Sequence, residues 1–197
     1  MEGTKKLIEG KYRNQAVEFL ANLPWDFTEK IDGTNIRVHW DGHKVMFGGR
    51  TDSAQIPTNL MYALNELFLG VTNEEVFEQK FGETEVTFYG EGYGAKIQKG
   101  GGLYRDGVGF ILFDVKVGDL WLERENVEDI AKSFNLPVVP VVFTGTIPEA
   151  VEYVRSRPKC TVAKEYKEAE GLVGRPKVEM KDRLGNRIIV KIKAKDF

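Results

Sequence analysis

The sequence predicts an α+β fold of mainly antiparallel sheets flanked by helices, and three observations carry that expectation. Short alternating segments are joined by tight-turn signals, segments of helical period carry caps at their starts, and a further alternating hairpin lies near the C-terminal end.

Taken in order, a helix is expected over residues 14–23. Ile36-Arg37-Val38-His39-Trp40 alternates, Asp41-Gly42 supplies a tight turn and Lys44-Val45-Met46-Phe47 returns, which together read as a hairpin. A second helix is expected over residues 58–68, and strands over residues 85–89, 109–115 and 120–122. Asn126 precedes Val127, Ile130, Ala131 and Phe134 at helical spacing, with Asp129 three residues after this cap. Thr146-Ile147-Pro148 opens another helix, which carries Ala150, Val151 and Val154. Residues 160–163 and 171–173 read as strands, and the last hairpin turns at Leu184-Gly185-Asn186 and returns through residues 187–193.

A chain of 197 residues suffices for one sizeable core and nothing in its middle reads as a linker, so a single domain over residues 1–197 is expected. With 42% hydrophobic and 29% charged residues, composition excludes disordered and fibrous classes. The net charge of −2 gives no global pull toward polyanions, so any nucleic-acid site must be a local cluster of Lys and Arg. Cys160 stands alone, which excludes an internal disulfide or a multi-cysteine metal site and fits a reducing, cytoplasmic setting. The first ten residues lack the apolar stretch of a signal peptide, and no segment approaches the ~20 apolar residues that span a bilayer, so no membrane partner is expected. His39 and His43 flank the Asp41-Gly42 turn without Cys or paired carboxylates at ligand spacing, and read as exposed strand residues.

The string Glu29-Lys30-Ile31-Asp32-Gly33-Thr34-Asn35 sets a lysine beside a carboxylate, with a glycine that permits close approach, just before the first hairpin strand. A Lys-x-Asp-Gly string alone also fits a solvated surface turn. Its company is more telling: Gly48-Gly49-Arg50-Thr51, Tyr89-Gly90-Glu91-Gly92, Phe113-Asp114-Val115, Glu170-Gly171-Leu172-Val173 and Lys191-Ile192-Lys193 follow in order.

This order resembles the nucleotidyltransferase motifs of polynucleotide ligases and messenger-RNA capping enzymes, and most closely those of RNA ligases of the phage double-strand-sealing and kinetoplastid-editing type. The resemblance runs from Lys30 to Lys193. It implies a nucleotidyltransferase fold, the ATP-grasp-like adenylation domain of ligases, and an ATP-dependent enzyme that joins an RNA 5′-phosphate to a 3′-hydroxyl through a lysyl-AMP intermediate on Lys30. Many relatives continue into a C-terminal domain for which this length leaves no room, so a partner protein is expected to replace it.

The chemistry explains the residue types. A lysine amine attacks phosphorus only when unprotonated, and an ordinary lysine, with a pKa of about 10.4, rarely is at neutral pH; neighbouring cations must disfavour its charge. Lys191 and Lys193 lie two apart on an expected strand and share a face. The resemblance gives them the α-phosphate; by themselves they also fit an edge strand with solvated lysines. It makes Arg50 a contact to phosphate or the RNA end, completing a catalytic set with Lys30, Lys191 and Lys193. Glu170 and Asp32 would hold Mg²⁺, or Mn²⁺, through water, with Asn35 beside them, since magnesium keeps much of its hydration shell. Glu91 would accept from ribose hydroxyls, Glu29 would read the adenine amino group, and Phe113 would stack on the base. Ile111, Phe113 and Val115 alternate, so Phe113 fits a core-facing position as well as a pocket. Lys96, Lys99 and Arg105 lie in a glycine-rich basic stretch after Glu91, expected to be a flexible loop that grips RNA or the leaving pyrophosphate.

Two other readings share residues with this one. A DNA ligase core or capping-type guanylyltransferase uses the same lysine chemistry but carries an added OB-fold domain. A non-catalytic RNA-end-binding accessory module would not need an acylable lysine, yet every expected ionisable group is present here.

Overall fold

The computed structural model describes residue 8, residues 10–12 and residues 14–197. The first seven residues, part of the stretch read as lacking a signal peptide, lie outside the described residues. In chain order the elements are helix α1 (Gln15–Leu20), strands β1 (Trp25–Glu29), β2 (Thr34–Trp40) and β3 (Val45–Gly48), helices α2 (Thr58–Phe68) and α3 (Val71–Phe81), and strands β4 (Val86–Gly94), β5 (Val108–Val117) and β6 (Leu120–Trp121). Helix α4 (Arg124–Ser133), strand β7 (Val141–Gly145), helix α5 (Ile147–Arg155) and strands β8 (Gly171–Pro176) and β9 (Val190–Lys193) follow. All paired strands among these are antiparallel, so the architecture is the expected α+β one.

The elements form two compact units. In the first, made of the described residues up to Ile31, residues 140–162 and residues 166–197, the sheet runs β7-β1-β8-β9. Alternation in β1 buries Trp25 and Phe27 under α1 and α5, where they join Val17, Leu20, Ala150, Val154, Leu172 and Ile192 in one apolar cluster. Helix α5 starts with a capping box: Thr146 accepts from the Glu149 N–H, and the Glu149 carboxylate accepts from the Thr146 N–H at 2.8 Å.

In the second unit, residues 32–139 and 163–165, the sheet runs β3-β2-β4-β5-β6. One face is core. Ile36, Val38, Trp40, Phe88, Phe110, Leu112 and Val115 pack with Leu60, Leu64 and Phe68, four apart on α2, with Phe77 of α3, and with Val127, Ile130 and Ala131 of α4. The opposite face carries Asn35, Arg37 and His39 of β2 beside Glu91, Tyr89 and Thr87 of β4, each pair directly opposed.

Several expectations change. Residues 160–163 are not a strand: Cys160 N–H bonds to Lys167 O, and Thr161 N–H is taken by a side chain, so no ladder forms. The N-cap of α4 is Glu123 rather than Asn126. The final hairpin shrinks to a turn in which the Asp182 carboxylate accepts from Leu184 and Asn186 N–H, and only residues 190–193 form a strand, paired with β8. His43 sits exposed in the turn rather than on a strand, and His39 is half-buried with Nδ1 2.9 Å from Thr87 Oγ1.

Candidate functional site

The residues named from the sequence fall into two groups, one in each unit. In the first unit, Lys30 follows the last residue of β1, and its N–H donates to Gly171 O at 2.9 Å. Gly171 in turn pairs with Lys193, so Lys30, Gly171 and Lys193 form one row across the sheet. Gly171 has φ 149°, and a Cβ there would collide with the Ile192 carbonyl oxygen; only glycine lets the strands approach at this point. Lys191 is paired with Val173, one rung of about 7 Å along the same face.

The Lys30 ammonium donates to Glu170 Oε2 at 2.6 Å, and both side chains are 20% exposed. This is a short, charge-assisted contact in a partly desolvated place. It holds the nucleophile candidate in one position, and it must open before the amine can present a lone pair. Glu170 is itself fixed through its backbone, since its carbonyl accepts from Ala194 N–H just beyond β9.

Glu29 points to the opposite face of the same sheet and is only 2% exposed. Its Oε2 accepts twice from Thr161, from the N–H at 2.8 Å and from Oγ1 at 2.5 Å. Its Oε1 is buried with no hydrogen-bond partner among the described residues. Nearby, burial and then the charge of Glu29 raise the pKa of the Tyr153 hydroxyl above its ordinary value of 10.0.

In the second unit, Asp32 and Gly33 are held from the 94–107 stretch: Asp32 N–H donates to the Tyr104 hydroxyl at 3.0 Å, and Gln98 Nε2 donates to Gly33 O at 3.1 Å. Asn35 and Glu91 stand directly opposite on β2 and β4. Phe113 occupies a bulge, because Tyr89 pairs with Asp114 while Gly90 pairs with Leu112. The bulge resets the alternation: Phe110 and Leu112 precede it in the core, Val115 follows, and half-buried Phe113 is outside that cluster. The expected alternation of Ile111, Phe113 and Val115 is therefore interrupted. Arg50 is exposed in the turn after β3, two residues before the Asp52 that pairs with Arg37.

Lys96, Lys99 and Arg105 are exposed on the 94–107 stretch. In place of the expected flexible loop there is a built one: Ala95 N–H donates to Gly107 O at 2.9 Å, a 3-10 turn spans Gly101–Leu103, and Tyr93 and Tyr104 meet edge to face with ring centres 5.7 Å apart. Arg105 lies over the Tyr93 ring at 5.9 Å. Lys164 pairs with Asp106, which lowers the Asp106 pKa and raises that of Lys164.

Sequence reasoning missed Thr161, Tyr104 and Gln98. Thr161 is 132 residues from the Glu29 it holds, and no local pattern signals such a contact. Among the described residues, no three His, Cys, Asp or Glu side chains cluster as a metal site, and no helix is long and apolar enough to cross a membrane.

Comparison with known proteins adds a family. The family model described as RNA ligase matches residues 23–193. No curated protein matches. Among solved structures, a Naegleria gruberi RNA ligase variant with ATP and Mn aligns at 18% identity and TM-score 0.66, covering 91% of this chain and 52% of that one. Another variant, with AMP and Mn, gives 18% and 0.67, covering 92% and 52%. The same ligase with PPi gives 20% and 0.64, covering 91% and 52%. The chain thus spans about half the length of these proteins, and the likeness establishes the fold.

Proposed function

This chain belongs to the RNA ligase family, and from that premise we propose that it is an ATP-dependent RNA ligase with Lys30 as nucleophile. The observation that carries the reading is the row of Lys30, Gly171 and Lys193 with Glu170 2.6 Å from the Lys30 amine. Such a row supplies a nucleophile, a cation two strands along the same row and a carboxylate that can take up its proton or a metal.

Lys30 Nζ attacks the α-phosphorus of ATP; the N–P bond forms as the P–O bond to pyrophosphate breaks, and the ammonium proton leaves through Glu170 or water. An oxygen of the RNA 5′-phosphate then attacks the same phosphorus and Lys30 departs as the amine. The RNA 3′-hydroxyl finally attacks the activated 5′-phosphate, AMP leaves, and a phosphodiester remains. Lys191 and Lys193 would neutralise charge at the α-phosphate, with Arg50 at the phosphate or RNA end. A Mg²⁺ or Mn²⁺ ion held through water by Glu170 and Asp32 would stabilise the leaving pyrophosphate. Asn35, Glu91 and Phe113 would bind ribose and base, and Lys96, Lys99 and Arg105 would meet the RNA backbone.

The donor set fits an adenine nucleotide. The buried, unpartnered Glu29 Oε1 is an acceptor awaiting a donor, and the 6-amino group of adenine supplies one where guanine offers a carbonyl. This favours ATP over the GTP of capping enzymes. The Naegleria ligase structures with ATP, AMP and Mn support the same choice of nucleotide and metal class. The lone cysteine, buried Cys160, supports a cytoplasmic setting.

The test is incubation of the purified protein with Mg²⁺ and labelled ATP or GTP. Acid-labile covalent label from ATP, lost in Lys30→Ala, is expected; full labelling of that variant would remove Lys30 as the nucleophile.

A further inference from the structure

We propose that Thr161 is the positioning residue that gives this protein its selectivity for adenine, by fixing which oxygen of Glu29 is left to read the base. The inference rests on the reading of Glu29 above and goes one residue further. A carboxylate has two equivalent oxygens and rotates unless something distinguishes them. Here Thr161 distinguishes them, because its N–H and its hydroxyl both donate to Oε2, at 2.8 and 2.5 Å. With Oε2 engaged by two donors, the carboxylate plane is set and Oε1 becomes a lone acceptor of fixed direction.

The surroundings make that acceptor consequential. Glu29 is 2% exposed, so water does not freely substitute for a missing donor. Tyr153 is near enough for the charge of Glu29 to raise its pKa, yet no hydrogen bond joins its hydroxyl to Oε1. A buried, unsatisfied carboxylate oxygen discriminates in both directions. It gains a charge-assisted bond from an exocyclic amino group, and it repels a carbonyl oxygen placed at the same point. Without the Thr161 hydroxyl only one donor remains on the carboxylate. Either oxygen can then turn to the Thr161 N–H, and the direction of the reading oxygen is lost.

Glu29 faces away from the Lys30 side of its sheet, so the expected effect is on nucleotide choice rather than on the chemical step. Self-labelling by ATP, GTP and purine riboside triphosphate, which lacks the 6-amino group, provides the test, with KM and the maximal rate measured separately. The wild-type protein is expected to prefer ATP over purine riboside triphosphate by about tenfold or more in KM, the consequence of losing one hydrogen bond to a charged group. In Thr161→Val that preference and the preference over GTP should each fall by about tenfold, with the maximal rate on ATP within about twofold. Thr161→Ser, which keeps both donors, should retain them.

Equal use of ATP and purine riboside triphosphate by the wild-type protein overturns the proposal without any variant. So does a folded Thr161→Val that keeps both preferences, or whose only change is its melting temperature. If the wild-type protein takes no covalent label from any triphosphate, the ligase reading itself fails, which is a different result from labelling without selectivity.

Discussion

Lys30 and Glu170 form a pair in which each residue limits the other. Removing the carboxylate frees the amine from its ion pair, but it also removes the group proposed to hold metal and to take the proton. Glu170→Ala is therefore expected to fold normally and to lose at least about 10²-fold in single-turnover labelling of Lys30, as does chelation of the divalent ion in the wild-type protein. Undiminished labelling in excess chelator would refute the metal assignment. At this scale the ordered strings around Lys30, Glu91, Glu170 and Lys193 were legible, because each is short and contiguous. What was not legible is what holds them. Thr161 grips Glu29 across 132 positions and Tyr104 grips Asp32 across 72, contacts that only the folded chain creates.

At the scale of elements, the strand that carries the two terminal lysines makes a sharp distinction. β9 ends at Lys193, and Lys195 lies in the 3-10 turn Ala194–Asp196, so it no longer shares the period-2 face. Lys191→Ala and Lys193→Ala should each slow Lys30 labelling at least about 10²-fold, Lys195→Ala should leave it near wild type, and Ile192→Val, on the core face, should cost about 1 kcal/mol of stability with little change in rate. If Lys195→Ala is as harmful as Lys193→Ala while Lys191→Ala is silent, the phosphate site lies elsewhere.

Helix α5 offers a prediction in pH. The Thr146 N–H, and then its hydroxyl, hold the Glu149 pKa below its ordinary 4.5, so the capping box stabilises the fold above that pH and is lost as pH falls through the lowered value. Thr146→Ala, which removes the hydroxyl but keeps the backbone donor, should cost about 1 kcal/mol near neutrality, whereas Glu149→Ala removes the titrating group, so its gap in melting temperature from wild type should narrow as pH falls through the lowered value. A Glu149→Ala gap that stays constant down to about pH 3 would argue against the carboxylate half of the box. This helix was readable from its cap, and α2 from the four-residue spacing of Leu60, Leu64 and Phe68, both of which are local signals. Helix α3 was not, since Phe77 is its sole fully buried residue in a charged segment. β1 was readable in principle: Trp25 and Phe27 alternate with Asp26 and Thr28, directly after Pro24.

For the whole molecule, the division into units means that one motif is shared between them, with Lys30 and Ile31 in the first and Asp32 and Gly33 in the second. The second unit is almost a continuous stretch, whereas the sheet of the first is assembled from strands far apart in sequence. Trp25 pairs with Gly145 on one side and with Pro176 on the other, and Glu29 N–H reaches Pro140 O at 3.0 Å, so residues 32–139 leave and return at neighbouring points. This connectivity predicts an order of assembly. Closing so long a segment while it is disordered is entropically expensive and slow, but once residues 32–139 have collapsed, the ends that β1 and β7 must bring together are already tethered by a compact body. The three tryptophans can report that order, because Trp25 belongs to the late sheet and Trp40 and Trp121 to the early one. In stopped-flow refolding, a protein in which Trp25 is the single fluorophore should recover its native signal more slowly than one retaining only Trp40 and Trp121; coincident rates would mean that both sheets form in one step. On that order, the strand that leads into Lys30 would be among the last parts of the chain to find its partners.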